Sequence, residues 1–383
     1  MTKRMILNEL AYFGKGAIRE IVPFVASHNV HKALVVSDEV LVSLGVTKKV
    51  LDVLDGAGLS YEIFSKIKPN PTIQNVQDGV EAYKKADADY IIAVGGGSSM
   101  DTAKAIGIII NNPEFADIRS LEGEFRSKNR AVPLIAITTT AGTASEVTIN
   151  YVITDEENKR KFVCVDANDL PLVAIVDPDM LASMPKSIAA STGLDALTHA
   201  IEGYITKNAW ALPDALHLKA IEMIAQNLES AVAGNEEALE NMGIAQYVAG
   251  MGFTNVGLGI VHSMAHTLGA FYDLPHGVAN ALLLPYVMEY NASATGEKYR
   301  DIAVAMGVKE AVDMTQEGYR IAAVNAVRSL SVNLDIPQKL HEVGVKQDDL
   351  QDLAESAYID GNTAGNPKET SVDEIRSIFE TAL

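Results

Sequence analysis

Short, wholly apolar runs alternate with longer stretches of helical apolar spacing through the first half of the chain. Residues 33–37 (ALVVS) form a β-branched run that ends at Asp38, and residues 40–54 follow at helical spacing before Gly56 and Gly58. Residues 61–64 repeat the strand-like pattern. Pro69-Asn70-Pro71-Thr72 then breaks the chain and caps a helix predicted to run to about Ala86. Residues 90–94 (YIIAV) are a third apolar run, closed by Gly95-Gly96-Gly97-Ser98, and a helix resumes through Asp101, Lys104 and Ile110. Residues 133–138 and 172–176 supply two further buried-looking strands. Short strands without polar alternation fit a sheet covered on both faces. The strand–helix rhythm predicts a parallel sheet with helices on either side.

The pattern changes at about Met184-Pro185. Residues 189–206, 214–233 and 236–253 carry apolar positions at the helical period, and no β-rich run returns. The expected organisation is an α/β domain over 1–183 and an all-helical domain over 184–383. No Gly/Ser linker separates them, and neither a repeat nor a low-complexity tract is present.

Composition narrows the function. The 383 residues carry 31 Lys+Arg against 50 Asp+Glu, a net charge of −19. So acidic a chain does not hold a nucleic-acid backbone or an anionic membrane by bulk attraction. An apolar fraction of 48% rules out disorder as the main state. The single cysteine, Cys164, rules out a disulfide framework and a thiolate-built zinc site, and fits a reducing cytoplasm. The opening MTKRMILNEL has no apolar core of signal-peptide length, and apolar runs such as 105–110 are far short of a membrane span. A cytoplasmic protein is expected, with a small-molecule substrate and neither nucleic-acid nor membrane partners.

The glycines at 95–97 lie between an apolar strand and a helix start, where a phosphate is cradled. Glycine lets backbone approach closely, and the first helical turn offers free N–H groups. The spacing is not G-x-G-x-x-G, so the usual dinucleotide fingerprint is absent, and a plain tight turn explains the run as well. Asp38, at a strand end, can hydrogen-bond a ribose and repel a 2′-phosphate, favouring NAD over NADP; a helix N-cap is the competing reading. The turn at 138–143 (TTTAGT) offers hydroxyls and N–H groups to a pyrophosphate or a nicotinamide amide, or satisfies itself.

Asp195 and His199 are spaced i, i+4, as are His262 and His266, and His276 follows ten residues later, before Gly277. On helices such pairs share a face. The five donors predict a divalent-metal site of three or four ligands, built from imidazole and carboxylate. Those donors suit Fe(II), Zn(II), Mn, Ni or Co. A catalytic metal keeps one position open. One of the five therefore has another task, and spacing does not say which.

Gly95-Gly96-Gly97-Ser98-Ser99-Met100-Asp101-Thr102-Ala103-Lys104, the TTAGTASE run at 139–146, Asp195-Ala196-Leu197-Thr198-His199-Ala200-Ile201-Glu202, and His262-x3-His266-x9-His276-Gly277 together resemble the iron-containing alcohol dehydrogenases over essentially the whole chain. The resemblance implies a Rossmann-like dinucleotide-binding domain, a helical metal domain, and an active site in the cleft between them. It implies Fe2+, with Zn2+ as the alternative, held by Asp195, His199, His262 and His276, and leaves His266 for catalytic proton transfer. It places NAD(H) on Asp38, Asn70, Gly96, Gly97, Ser98, Asp101, Thr139, Thr140, Thr143 and Lys161, and substrate beside Asn150 and Phe253. It further implies a homodimer. The segments RMILNE (4–9), NNPEFAD (111–117) and INYVITDEE (149–157) point within the family toward interconversion of lactaldehyde and 1,2-propanediol. One departure is the late loop Asp360-Gly361-Asn362-Thr363, where a cysteine-bearing segment is expected. The competing activities are a zinc-using glycerol dehydrogenase-like enzyme, a metallohydrolase that needs no nicotinamide, and a silent NAD sensor.

Overall fold

The structure is a computed structural model that describes residues 2–158 and 160–383. Nine strands are present among these residues: β1 (Leu10–Phe13), β2 (Lys32–Val36), β3 (Ser60–Phe64), β4 (Tyr90–Gly95), β5 (Gly123–Glu124), β6 (Leu134–Thr138), β7 (Asn150–Asp155), β8 (Arg160–Val165) and β9 (Val173–Val176). Six form one parallel sheet in the order β1-β9-β6-β4-β2-β3. Its central strands are buried throughout, as their unbroken apolar runs require. The helices between them are α1 (Ile21–His28), α2 (Glu39–Ser43), α3 (Val46–Gly56), α4 (Ile73–Ala86), α5 (Gly97–Asn111) and α6 (Pro178–Leu181). They enclose one apolar cluster around Leu34, Val36, Ile91 and Ile106 and another around Val35, Val50, Ile92 and Ile135.

Three features differ from the sequence expectation. The helix expected over 40–54 is two helices, because Gly45 at φ 74° turns the chain left-handed between them. Strand β1 extends the sheet at its edge. A second sheet, β5-β8-β7, stands outside the strand–helix rhythm, its β7–β8 pair antiparallel. The break at Pro69–Thr72 does cap its helix: Thr72 and Asn75 form a reciprocal capping box on α4.

From residue 186 the chain is helical: α7 (Lys186–Ile205), α8 (Ala211–Val232), α9 (Glu236–Phe253), α10 (Ile260–Tyr272), α11 (His276–Asn291), α12 (Lys298–Ala305), α13 (Gln316–Asn333), α14 (Leu350–Ile359) and α15 (Val372–Ala382). Helix α7 is buried almost all round, which places its polar residues inside the unit. Residues 1–140 and 144–184 form one compact unit; 141–143 and 185–383 form the other. No helix among the described residues is long and apolar enough to cross a membrane.

Candidate active site

Within the helical unit, α7, α10 and α11 bring four donors together. Asp195 and His199 lie one turn apart on α7, His262 is in the first turn of α10, and His276 opens α11. One ligand atom from each lies within 4.8 Å of the others. Asp195 Oδ1 is 3.9 Å from His262 Nε2 and 3.7 Å from His276 Nε2. A tetrahedral cation with bonds of about 2.1 Å sets neighbouring donors about 3.4 Å apart, so these two Asp195 pairs would draw in by about 0.3–0.5 Å to hold one. Gly277 permits this approach: a Cβ there would sit 2.7 Å from the Ser191 carbonyl oxygen of α7.

Burial and packing set the protonation of the group. Burial lowers the pKa of His262 well below the ordinary value, reinforced by the neighbouring imidazoles, and burial also lowers that of His199. Both rings are therefore neutral and can donate a lone pair. His262 Nδ1 is 2.6 Å from Glu202 Oε2, a contact that turns Nε2 toward the other donors. Glu202 Oε1 also accepts the Val261 N–H at 2.7 Å, so this α7 carboxylate caps the start of α10. Burial pushes Glu202 up to about 8, against the pull of the Val261, Gly259 and His262 N–H groups.

His266 lies outside the four-donor set. Its ring stacks on His276 at 5.4 Å between centroids, and its Nδ1 is 2.8 Å from Asp360 Oδ2. Asp360 also accepts from Ser263 Oγ at 3.2 Å and from the Asn362 N–H at 2.9 Å. Burial pushes its carboxyl up, but His266 and these donors together hold it down to about 2. The departure in the late loop thus carries the partner of His266. Phe253 is 3% exposed and stacks on His199 at 4.3 Å, so it backs a candidate ligand.

In the α/β unit, β4 ends at Gly95 and Gly96 is the N-cap of α5, whose first turn has no capping side chain. A Cβ on Gly95 would meet Ser99 Oγ at 2.4 Å, and one on Gly96 would meet Thr140 Cγ2 at 3.0 Å. Ser99 Oγ and Thr140 Oγ1 are both buried without a partner. Open N–H groups beside unpaired hydroxyls fit a bound pyrophosphate. Gly97 and Ser98 form the first turn, Ser98 through its carbonyl holding Thr102 Oγ1 at 2.8 Å. The Thr139 N–H bonds the Gly95 carbonyl at 3.1 Å.

The other expected cofactor residues take varied positions. Asp38 caps α2 through Oδ1, 2.8 Å from the Leu41 N–H. Asn70 and Lys161 meet, with Lys161 Nζ donating to Asn70 Oδ1 at 2.7 Å. Asp101 is engaged within its own unit: Ser145 Oγ donates to Oδ1 at 2.8 Å and the Val152 N–H to Oδ2 at 3.0 Å. The Asn150 carbonyl accepts from the buried Lys104 at 2.9 Å. Thr143 groups with the helical unit.

Three site residues escaped the sequence reading. Glu202 stood in a quoted motif without a role, although two turns of helix set it on the face of Asp195. Asn280 follows His276 at i+4 and bonds Asp195 Oδ1 at 2.6 Å, so the spacing rule used for the histidines would have found it. Asp360 is 94 residues from His266, and no local pattern announces it.

Residues 9–178 match the family description "Iron-containing alcohol dehydrogenase", and residues 189–383 match "Fe-containing alcohol dehydrogenase family, C-terminal". The chain belongs to the iron-containing alcohol dehydrogenase family, a class of oxidoreductases. It is 57% identical over 382 residues to lactaldehyde reductase of Escherichia coli (strain K12), covering 100% of both chains. Among solved structures, 1,3-propanediol oxidoreductase superposes with a TM-score of 0.97 at 41% identity, covering 100% of both chains. Sulfoacetaldehyde reductase from Bifidobacterium kashiwanohense in complex with NAD+ superposes with a TM-score of 0.87 at 30% identity, covering 100% of this chain and 99% of that one.

Proposed function

We propose that the protein reduces lactaldehyde to 1,2-propanediol with NADH, and catalyses the reverse with NAD+. Asp195, His199, His262 and His276 hold a divalent iron in this reading. Residues 1–183 serve the cofactor and 184–383 the metal and catalysis. A cytoplasmic homodimer is part of the same reading. The observation that carries it is the convergence of one carboxylate and three imidazoles in a chain 57% identical to a lactaldehyde reductase along its full length. The NAD+ complex of a structural neighbour supports the choice of cofactor.

A bound divalent cation supplies positive charge against the alcohol or carbonyl oxygen, and the nicotinamide supplies or accepts the hydride. The protein does the rest. Gly96, Gly97 and Ser98 offer backbone N–H groups to the pyrophosphate, and Ser99 and Thr140 add their unpaired hydroxyls. Thr139, Thr143, Asn70, Lys161 and Asp101 complete or buttress the cofactor site, and Asp38 takes the ribose. Glu202 keeps His262 Nε2 free for the metal. Asp360 holds His266 by Nδ1, which leaves Nε2 to exchange the proton that balances hydride transfer. Asn150 borders the substrate, and Phe253 supports it through His199.

Absorbance at 340 nm with lactaldehyde, 1,2-propanediol, ethanol and glycerol tests this directly. The highest kcat/KM is expected for lactaldehyde with NADH. A higher value for glycerol with NAD+, or no change in absorbance with any of the four, would overturn the proposal.

A further inference from the structure

Asn280 is fully buried, one turn after His276 on α11. Its Nδ2 lies 2.6 Å from Asp195 Oδ1, 3.1 Å from His262 Nε2 and 3.1 Å from His276 Nε2, reaching three of the four donor atoms. A primary amide has two protons on nitrogen, so it cannot serve three acceptors. Its Oδ1 is buried without a hydrogen-bond partner. The three acceptors also differ in kind. Each imidazole nitrogen has one lone pair, which a cation would consume. A carboxylate oxygen has more than one and can face a cation and an N–H together. The bond to Asp195 is also the shortest of the three and the charge-assisted one.

We propose that Asn280 is a positioning residue of the cation site: its amide holds the Asp195 carboxylate toward the other donors and yields the two imidazoles to the metal. This rests on the reading of Asp195, His199, His262 and His276 as ligands. It adds an outer partner for the one carboxylate among them, as Glu202 is the outer partner of His262.

The test is Zn2+ titration of the chelator-stripped full-length protein against a chromophoric competitor, with Co2+ absorption as a second readout. Asn280→Ala should bind Zn2+ about 10- to 100-fold more weakly and shift the Co2+ spectrum, because an unheld carboxylate changes the ligand geometry. A purely structural defect would lower the melting temperature and leave the Co2+ spectrum as in wild type. Asn280→Leu keeps the volume without the donor, and the same loss is expected of it if the alanine protein does not fold. Wild-type Zn2+ affinity and Co2+ spectrum in the folded variant would overturn the role of Asn280 alone. Wild-type affinity in His262→Ala would overturn the ligand reading and this proposal with it.

Discussion

The donor cluster of the helical unit and the glycine turn of the α/β unit are specified in opposite ways. In the helical unit the chemistry lies in side chains: Asp195, His199, His262 and His276 are named by their donor atoms and brought within 4.8 Å of one another by buried helices. In the α/β unit it lies in what is missing. Gly95 and Gly96 leave the backbone bare, and Ser99 and Thr140 keep unpaired hydroxyls beside it. Substitution should therefore break the donor cluster by deleting a donor and the glycine turn by adding an atom.

The largest effect is expected from His262→Ala. Loss of this donor also strands Glu202 in the interior, so metal content should fall with activity. The cation's several kcal/mol of charge stabilisation corresponds to roughly 10³-fold or more in kcat. Paired metal analysis and NADH assay check both losses. A protein that kept its metal but lost its rate would break the donor account.

Gly95→Ala is the complementary change. The added carbon meets Ser99 Cβ at 2.6 Å, and that atom cannot swing away. Overpacking of this kind costs about 1–3 kcal/mol, or roughly 5- to 150-fold if it falls on NADH binding. Fluorescence titration with NADH should show the loss while metal content stays at the wild-type level. A fall in metal content would show that the glycine turn and the donor cluster are not independent.

Asp38→Gly should alter selectivity more than rate. Loss of the carboxylate removes the repulsion of a 2′-phosphate, so the NADPH/NADH ratio of kcat/KM should rise about tenfold, the size of a single charge effect near 1.4 kcal/mol. The same change removes the N-cap of α2, so the melting temperature should fall slightly. An unchanged ratio would leave Asp38 as a cap only.

The smallest effect lies away from both the donor cluster and the glycine turn. Buried Asp155 accepts Arg119 Nε at 2.8 Å and Asn158 Nδ2 at 2.8 Å, and the Arg119 hydrogen bond, ahead of all else, holds its carboxyl well below the ordinary range. A depressed carboxylate contributes stability above its unfolded value of 3.8, and that stability is lost as pH falls through the lower native value. Urea unfolding between pH 5 and the lowest soluble pH should show this slope in wild type and less of it in Asp155→Asn. Equal slopes would remove the role of the pair.

The contrast between donor cluster and glycine turn also explains what is legible in the sequence. The buried strands around Leu34, Ile92 and Ile135 announce themselves because they are apolar without interruption, and helix α9 falls on the residues its periodicity marks. The pairs Asp195/His199 and His262/His266 are visible because i, i+4 spacing on a helix is a local signal, whereas the choice of His276 over His266 as a donor rests on the family resemblance alone. Strands β7 and β8 were missed because they alternate buried and half-exposed residues outside the strand–helix rhythm. Strand β1 was missed because both its end residues are exposed, as at a sheet edge. Asn280 follows His276 at the same i, i+4 spacing, but a neutral amide carries no metal-donor signal of its own. Asp360 reaches His266 only through tertiary packing, which no spacing encodes.

The central claim is that the four donors hold one divalent cation on which turnover depends. Metal analysis of anaerobically purified protein, followed by chelation and readdition under a lactaldehyde–NADH assay, tests it most directly. The account predicts one bound ion per chain, loss of activity on stripping, and recovery with Fe2+. Full activity in protein stripped of metal would contradict it.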